Sequence, residues 1–483
     1  MRQAGHAKIL VASNRGPVSF VEGEDGALQL RRGGGGLVSG MTVAARGPDT
    51  VWVCAALSTS DRQAAAQSPG GRLDLAGHDT DGLAVRMIEL EPTTFRRAYN
   101  GVANSVLWFV NHQLYDTPNK PVFDFRFRRE WDAFYRYNEA FAQALAEDAA
   151  PGASVLVQDY HLTLTPRMLR TLRPDLKIAH FTHTPWATPS YFSLLPDDVA
   201  AEVLAGILGA DHAGFLAARW SRAFLRCCQE LLGAEVDSDA QTVTYQDRVT
   251  QVAVHGLGVD AEQLRARGAQ PDVESRRRVL RDRVGNRRIL LRIDRTELSK
   301  NIVRGLAAYR ELLRDHPEWR GKVVHLAFAY PSRHDLPEYR EYTAAVQRIA
   351  QEIQDEFATD DWVPLLLEVN DDFARSLAAY RLADVVVVNP IRDGMNLVAK
   401  ECPVLSDKGV VLVLSREAGA VDDLAADALV VNPYDVTATA EAMHRALSMS
   451  MEERARRHVG LVRGATALPP GAWFTEQLDA LAG

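Results

Sequence analysis

The run Ala383-Asp-Val-Val-Val-Val388 constrains this chain more than any other stretch. Four consecutive valines leave no polar face, so the segment reads as a strand covered on both sides, as in a parallel sheet with helices above and below. Pro390 ends the strand, Asp393-Gly394 supplies a turn, and the following residues, from Met395 to Lys400, predict a helix. In such sheets ligands bind beyond the carboxyl ends of the strands, where a helix start offers free N–H groups to an anion. Asp393 and Glu401 stand about two helical turns apart and suit the two ends of one long ligand, such as a sugar nucleotide. An ordinary helix cap would give the same local pattern, so the rest of the chain has to decide.

Other short apolar runs repeat the theme. Arg287–Ile293, Val323–Ala329, Val363–Leu367 and Val410–Leu414 alternate with helical segments, and Lys8–Ser13, Ser154–Leu162 and Lys177–Trp186 do so in the first half. That alternation predicts an α/β protein with doubly wound parallel sheets. At 483 residues the chain exceeds the ~250 to 300 that one core supports, so two domains are expected. From Ala261 to about Asn286 the composition turns to Arg, Glu, Asp and Gln, which reads as an exposed helix and linker. The expected domains are therefore 1–268, with a C-terminal helix at 469–483 packing back on it, and 269–468. Pro403 is expected to kink or end the helix that opens near Met395.

With 63 acidic against 55 basic residues, a net charge of −8 and no long basic run, neither a nucleic acid nor an anionic membrane is an expected partner. Met1–Leu10 lacks a signal-peptide layout and no apolar run approaches the ~20 residues of a spanning helix, so a cytoplasmic protein is expected. Cys54, Cys227, Cys228 and Cys402 have neither disulfide-framework nor metal-ligand spacing and read as reduced thiols.

Several polar residues fall where such sheets bind ligands. Arg15 follows the first strand, and the glycine run that includes Gly35 and Gly36 would let backbone approach a ligand closely, although a flexible hairpin exit gives the same pattern. Tyr99 and Trp108 are bulky aromatics that read as core without further context. Asp159 and His183 end two successive buried strands. A hydrolase would need a nucleophile elbow beside them, and a zinc site a second helical histidine or cysteines; neither is present. Arg295 and Lys300 precede a helix, and positive charge there opposes the macrodipole unless an anion accompanies it. Arg333 lies in the turn after the next strand.

Asn389-Pro-Ile-Arg-Asp-Gly-Met-Asn-Leu-Val-Ala-Lys-Glu401 closely resembles the donor-binding loop of the trehalose-6-phosphate synthases, retaining glycosyltransferases of family 20, and the likeness extends over essentially the whole chain. The resemblance implies a GT-B fold, with two Rossmann-like domains facing across a cleft. It implies glucose transfer from a nucleoside-diphosphate glucose to glucose 6-phosphate, giving α,α-trehalose 6-phosphate without metal or other cofactor. By the same resemblance Arg15 and Arg333 hold the acceptor phosphate, and Tyr99, Trp108 and Asp159 line the acceptor pocket. His183 and Asp393 face the donor glucose, Arg295 and Lys300 grip the diphosphate, Gly35 and Gly36 close over the donor, the amides of Met395, Asn396, Leu397 and Val398 meet its phosphates, and Glu401 holds the ribose. Asp159, His183, Arg295, Lys300 and Asp393 are the residues expected to carry catalysis.

His183-Thr-Pro-Trp186 and Glu401-Cys-Pro-Val-Leu-Ser406 resemble the branch of high-GC Gram-positive bacteria that prefers GDP-glucose, while UDP-glucose is the family's usual donor. Thr184 and Trp186-Ala187 depart from the commoner family pattern. A glucosylglycerol-phosphate synthase or a pseudo-glycosyltransferase would use the same scaffold. A silent sugar-phosphate sensor should have lost Arg295, Lys300 or Asp393, all of which are present. A homo-oligomer is compatible with the sequence but not implied by it.

Overall fold

The structure, a computed structural model, describes residues 7–23, 26–32, 49–80 and 82–482. Packing divides the chain into one unit of residues 1–256 with 470–483 and another of residues 257–469.

The first unit contributes strands β1 (Ala7–Ser13), β2 (Val18–Glu22), β3 (Leu28–Arg32), β4 (Thr50–Ala55), β5 (Ala84–Ile88), β6 (Ala149–Gln158), β7 (Lys177–Thr182), β8 (His212–Phe215), β9 (Glu235–Asp237), β10 (Thr242–Tyr245) and β11 (Arg248–Val254). Nine of them form one sheet in the order β5-β4-β1-β6-β7-β8-β11-β10-β9, and β2 and β3 pair as a separate hairpin. From β5 across to β11 every neighbour is parallel, and β10 alone is reversed, pairing antiparallel with β11 on one side and β9 on the other. The chain moves outward from β1 through β4 and β5, then restarts on the other side with β6. Consecutive loops diverge at that reversal, the place where doubly wound sheets bind their ligands, beyond the carboxyl ends of β1 and β6. The helix Pro470–Ala482 packs on this same sheet, with the buried Trp473 ring edge-on to Phe181 at 4.9 Å.

The second unit holds β12 (Arg288–Arg295), β13 (Val323–Tyr330), β14 (Leu365–Glu368), β15 (Val385–Val388), β16 (Val411–Ser415) and β17 (Leu429–Val431), ordered β14-β13-β12-β15-β16-β17 and parallel throughout. β13, β15 and β16 are buried along their whole length, which is the reason their sequences are apolar apart from the buried His325 in β13 and Ser415 at the end of β16. Each buried valine contributes about 1.5 to 3 kcal/mol of transfer free energy. The reversal of winding falls between β12 and β15, which pair at Leu290↔Val385 and Leu291↔Val386. Both units are therefore doubly wound parallel-sheet folds.

The stretch after residue 260, expected to be an exposed helix and linker, is helical but neither a linker nor fully exposed. It forms the helices Ala261–Gly268 and Pro271–Val284, whose Val273, Leu280 and Val284 are buried, and Gly268 sits so close to Leu405 that a Cβ there would approach its side chain to 2.8 Å. Three apolar positions suffice to seat an otherwise charged helix, so composition hid the packing. Both helices belong to the second unit, and the division falls at 256/257, ahead of the expected 268. Lys400 Nζ secures the crossing segment by donating to the Leu257 carbonyl at 2.7 Å and to Asp423 at 2.6 Å.

All four cysteines are free, and all four are buried. Among the described residues no helix is long and apolar enough to cross a membrane.

Candidate active site

In the second unit the winding reversal delivers two loops side by side. After β12 comes a tight turn, Leu298–Lys300, then Asn301 at φ +57°, then the helix Ile302–Asp315. After β15 comes the 389–397 loop and the helix Val398–Leu405. The helix starts at Val398, not near Met395 as expected, because Asn396 takes a left-handed φ of +79° that stops the helix from extending backward. From that position Asn396 Oδ1 accepts the Ala399 N–H at 3.3 Å, and its Nδ2 donates to Asp393 at 3.0 Å. Met395, Asn396 and Leu397 thus belong to the loop, Val398 opens the helix, and Pro403 sits in its last turn.

Neighbouring loops staple this one in place. Ile391 N–H donates to the Ser299 carbonyl at 2.8 Å, and Asn301 Nδ2 donates to the carbonyls of Asn389 and Pro433 at 3.0 and 2.7 Å. Asp393 bridges to Ala418 in strand fashion, and Ala420 N–H reaches the Met395 carbonyl at 2.8 Å. The approach is so close that a Cβ on Gly419 would lie 1.8 Å from the Gly394 oxygen.

The stapled loops gather charge. Lys300 Nζ donates to Asp393 at 2.6 Å, with both side chains largely buried. Burial alone would lower the lysine pKa, but Asp393, Asp294 and Glu297 outweigh it and raise it. The anion that the macrodipole argument called for beside Arg295 and Lys300 is thus partly supplied by the protein. Glu297, which the sequence reading missed, is fully buried; Arg295 and Arg333 each lie 3.4 Å from its Oε1, and Ser332 donates to it at 2.8 Å. Burial pushes its carboxyl up, yet Arg295, Arg333 and Lys300 hold it at about 2. Its one sequence signal was a glutamate between a buried strand and a basic turn. Arg333 sits at φ +45° and donates to the Tyr339 hydroxyl at 2.7 Å, while the Arg295 side chain is 57% exposed. Glu401 accepts from the Tyr380 hydroxyl at 3.1 Å, and burial raises its pKa to about 7.

In the first unit Arg15 is exposed just past β1, beside Asn14, whose side chain accepts from the Tyr137 hydroxyl at 2.7 Å. Asp159, at φ +75°, ends β6 and turns back to accept the His183 backbone N–H at 3.2 Å, so the residues at the ends of β6 and β7 meet. Aromatic rings wall this corner. Tyr99 stacks between Phe95 and His161 at 5.3 and 5.7 Å, and the buried Trp108 lies 3.9 Å from His112 and 5.6 Å from Tyr160. Asn111 Nδ2 donates to Thr184 at 3.4 Å, which gives that family-divergent residue a structural contact. His183 Nε2 lies 2.9 Å from Gln158 Oε1, and burial lowers the pKa of His183 to about 3 and of the adjacent His180 to about 4. Gly35 and Gly36 lie outside the described residues.

Among the described residues, metal-ligand spacing occurs at His316, Glu318 and His444, after the helix that leads away from the Lys300 loop. The two imidazoles stack at 3.7 Å and 8°, so their lone pairs do not converge, and His444 Nδ1 already accepts from the Trp319 N–H at 3.1 Å. That arrangement suits a packed ring pair better than a coordination shell.

Two doubly wound units, each bringing polar side chains to its winding reversal, define an α/β enzyme fold of the GT-B glycosyltransferase class. The model for glycosyltransferase family 20 matches residues 7–483, and the chain belongs to that family. It is 33% identical over 494 residues to a trehalose-6-phosphate synthase of Mycobacterium avium, covering 99% of this chain and 96% of that one. A probable UDP-forming α,α-trehalose-phosphate synthase of Arabidopsis thaliana is 32% identical over 464 residues, which cover 93% of this chain but only 54% of the plant protein. This chain therefore spans about half the length of that relative. Among solved structures, the E. coli protein bound with UDP-2-fluoro glucose superposes with a TM-score of 0.86 at 27% identity over 98% of each chain.

Proposed function

We propose that the protein transfers glucose, with retention, from a nucleoside-diphosphate glucose to glucose 6-phosphate, giving α,α-trehalose 6-phosphate. The carrying observation is the Lys300–Asp393 contact at the winding reversal of the second unit, in a chain that matches family 20 from end to end. The relatives named as trehalose-phosphate synthases support the choice of reaction.

In this reading Arg295 and Lys300 stabilise the departing diphosphate, together with the N–H groups of the Met395–Val398 segment. Asp393 holds donor hydroxyls while its charge keeps Lys300 protonated, and Glu401 receives the ribose. Arg15 and Arg333 bind the acceptor phosphate, and Tyr99, Trp108 and Asp159 line the acceptor pocket. With no carboxylate pair in the roles of nucleophile and acid, the leaving phosphate takes the acceptor proton on the face where the new bond forms. Two cationic side chains already meet the diphosphate, so catalysis is proposed to need no divalent metal, and a chelator should leave the rate unchanged.

Guanine is the proposed base, on the likeness of His183–Trp186 and Glu401–Ser406 to the GDP-glucose branch. The UDP-forming name of the plant relative and the UDP sugar bound to the E. coli protein favour UDP-glucose as the second reading. Initial rates with GDP-, UDP- and ADP-glucose at fixed glucose 6-phosphate, with products resolved by mass, test both levels. An advantage of at least about tenfold in kcat/KM for GDP-glucose is expected, the equivalent of one good hydrogen bond. A win for UDP-glucose reverses the base alone, whereas absence of a trehalose phosphate with every donor overturns the reaction.

A further inference from the structure

His183 is joined to the C-terminal helix by two side-chain amides. Its Nε2 lies 2.9 Å from Gln158 Oε1; Gln158 Nε2 lies a long 3.5 Å from Gln477 Oε1; and Gln477 Nε2 lies 3.2 Å from the Trp473 carbonyl. Gln158 and Gln477 are both buried, at 0% and 3% exposure, so no bulk water is at hand to satisfy a misdirected amide.

The far end of this chain sets its direction. A backbone carbonyl only accepts, so Gln477 must turn its NH2 group toward Trp473 and its oxygen toward Gln158. Gln158 must then donate to Gln477 and offer its own oxygen to His183. Turning either amide over would set oxygen against oxygen, or NH2 against NH2, in a dry environment. A carbonyl oxygen facing Nε2 requires the proton to be there. We propose that Gln158 and Gln477 are positioning residues that fix His183 as the neutral Nε2–H tautomer, leaving Nδ1 as an acceptor for a sugar hydroxyl.

Two independent observations agree with this direction. Among the described residues Nδ1 has no hydrogen-bond partner, whereas the backbone N–H of His183 is already taken by Asp159. The ring also sits against Phe181 and Trp473, with centroids at 4.8 and 5.6 Å, and these apolar neighbours disfavour the imidazolium. A ring held neutral with a fixed acceptor selects a ligand that donates at that point, as a hydroxyl does and a carbonyl does not. The sugar part of the inference rests on the proposed glucose transfer and on the family resemblance by which His183 faces the donor glucose; the tautomer does not.

Long-range proton–nitrogen NMR of the full-length protein labelled with ¹⁵N-histidine tests it, with the His183 signals assigned by their loss in His183→Asn. Above pH 6 the expected pattern is a protonated Nε2 and a bare Nδ1. Gln477→Glu, whose carboxyl is kept protonated by this dry site and so both donates to the Trp473 carbonyl and accepts from Gln158, should keep that pattern, while Gln477→Leu should convert it to a mixture and raise the donor KM about tenfold with a smaller change in kcat. A proton on Nδ1 in the wild-type spectrum overturns the proposal without touching the reaction assignment. The expected tautomer with a donor KM unmoved by Gln477→Leu overturns only the sugar contact. The wild-type spectrum can overturn the tautomer without any variant, and a folded Gln477→Leu protein that keeps the wild-type pattern overturns the positioning role.

Discussion

At the winding reversal of the second unit, Lys300 and Asp393 meet at 2.6 Å and Glu297 lies buried between Arg295 and Arg333, whereas at the reversal of the first unit His183 is kept neutral among rings and amides. Similar sheet topology thus presents a dense ionic lattice in one place and, in the other, a neutral ring set among aromatics and amides with Asp159 and the exposed Arg15 at its edge. The difference follows the chemistry proposed for each. A leaving diphosphate needs fixed positive charge that requires no reorganisation, while sugar hydroxyls need directional donors and acceptors on a stiff apolar wall.

The largest expected effect comes from breaking the lattice. Lys300→Ala removes a cation aimed at the leaving group and should lower kcat by about 10²- to 10³-fold in steady-state assays, comparable with loss of a preorganised transition-state donor. Lys300→Arg should not restore the rate, because a planar guanidinium cannot take the place of a compact ammonium in a 2.6 Å contact. A loss below threefold in Lys300→Ala would remove the ionic cluster from the chemistry.

Stability against pH sharpens the contrast. Glu297 has a folded pKa of about 2, below its usual 4.5, so its contribution is complete above 4.5 and is lost as pH falls toward 2. His183 has a folded pKa of about 3, below its usual 6.5, so its contribution is complete above 6.5 and is lost as pH falls toward 3. Glu297→Gln should therefore flatten the stability profile between 4.5 and 2, and His183→Asn that between 6.5 and 3. Denaturant midpoints across pH measure both. Breaking the buried Glu297 contacts should also cost on the order of 3 kcal/mol at neutral pH.

Arg15→Ala and Arg333→Ala each remove a charge-assisted hydrogen bond of ~1.5 to 3 kcal/mol and should raise the acceptor KM tenfold or more, with the donor KM little changed. Because Arg333 shares Glu297 with Arg295, its variant should disturb the donor KM more than Arg15→Ala does. A rise confined to the donor KM in Arg15→Ala would reverse the two pockets. The smallest effect is expected from Tyr380→Phe. Loss of the 3.1 Å hydrogen bond to Glu401 should raise the donor KM about threefold to fivefold and move the pH dependence of that KM upward from about 7, since the hydroxyl favours the ionised carboxylate. Donor saturation curves from pH 6 to 8 read it directly.

Much of this was legible in the chain. Valines without alternation announced a parallel sheet, and the loop after them carried Asp393, Met395, Asn396 and Glu401 in a pattern long enough to identify a family. Helix boundaries were less legible, because a single left-handed residue, Asn396, moved the start of the Val398–Leu405 helix. The stretch at 261–286 was rightly read as helical in part, but its second helix and its burial were missed, because three buried positions among many charges leave little periodic signal.

The sequence by itself determined the doubly wound architecture, the family and the identity of the charged loop residues, since each depends on local pattern or on contiguous motif. Only the tertiary structure decided which of those residues touch. Glu297 meets Arg333 across 36 positions, Lys300 meets Asp393 across 93, and Gln158 meets Gln477 across 319. Such pairs carry no periodic trace, because strand order and loop stapling set the separation of two groups in space, and hence their pKa values, tautomers and hydrogen-bond directions.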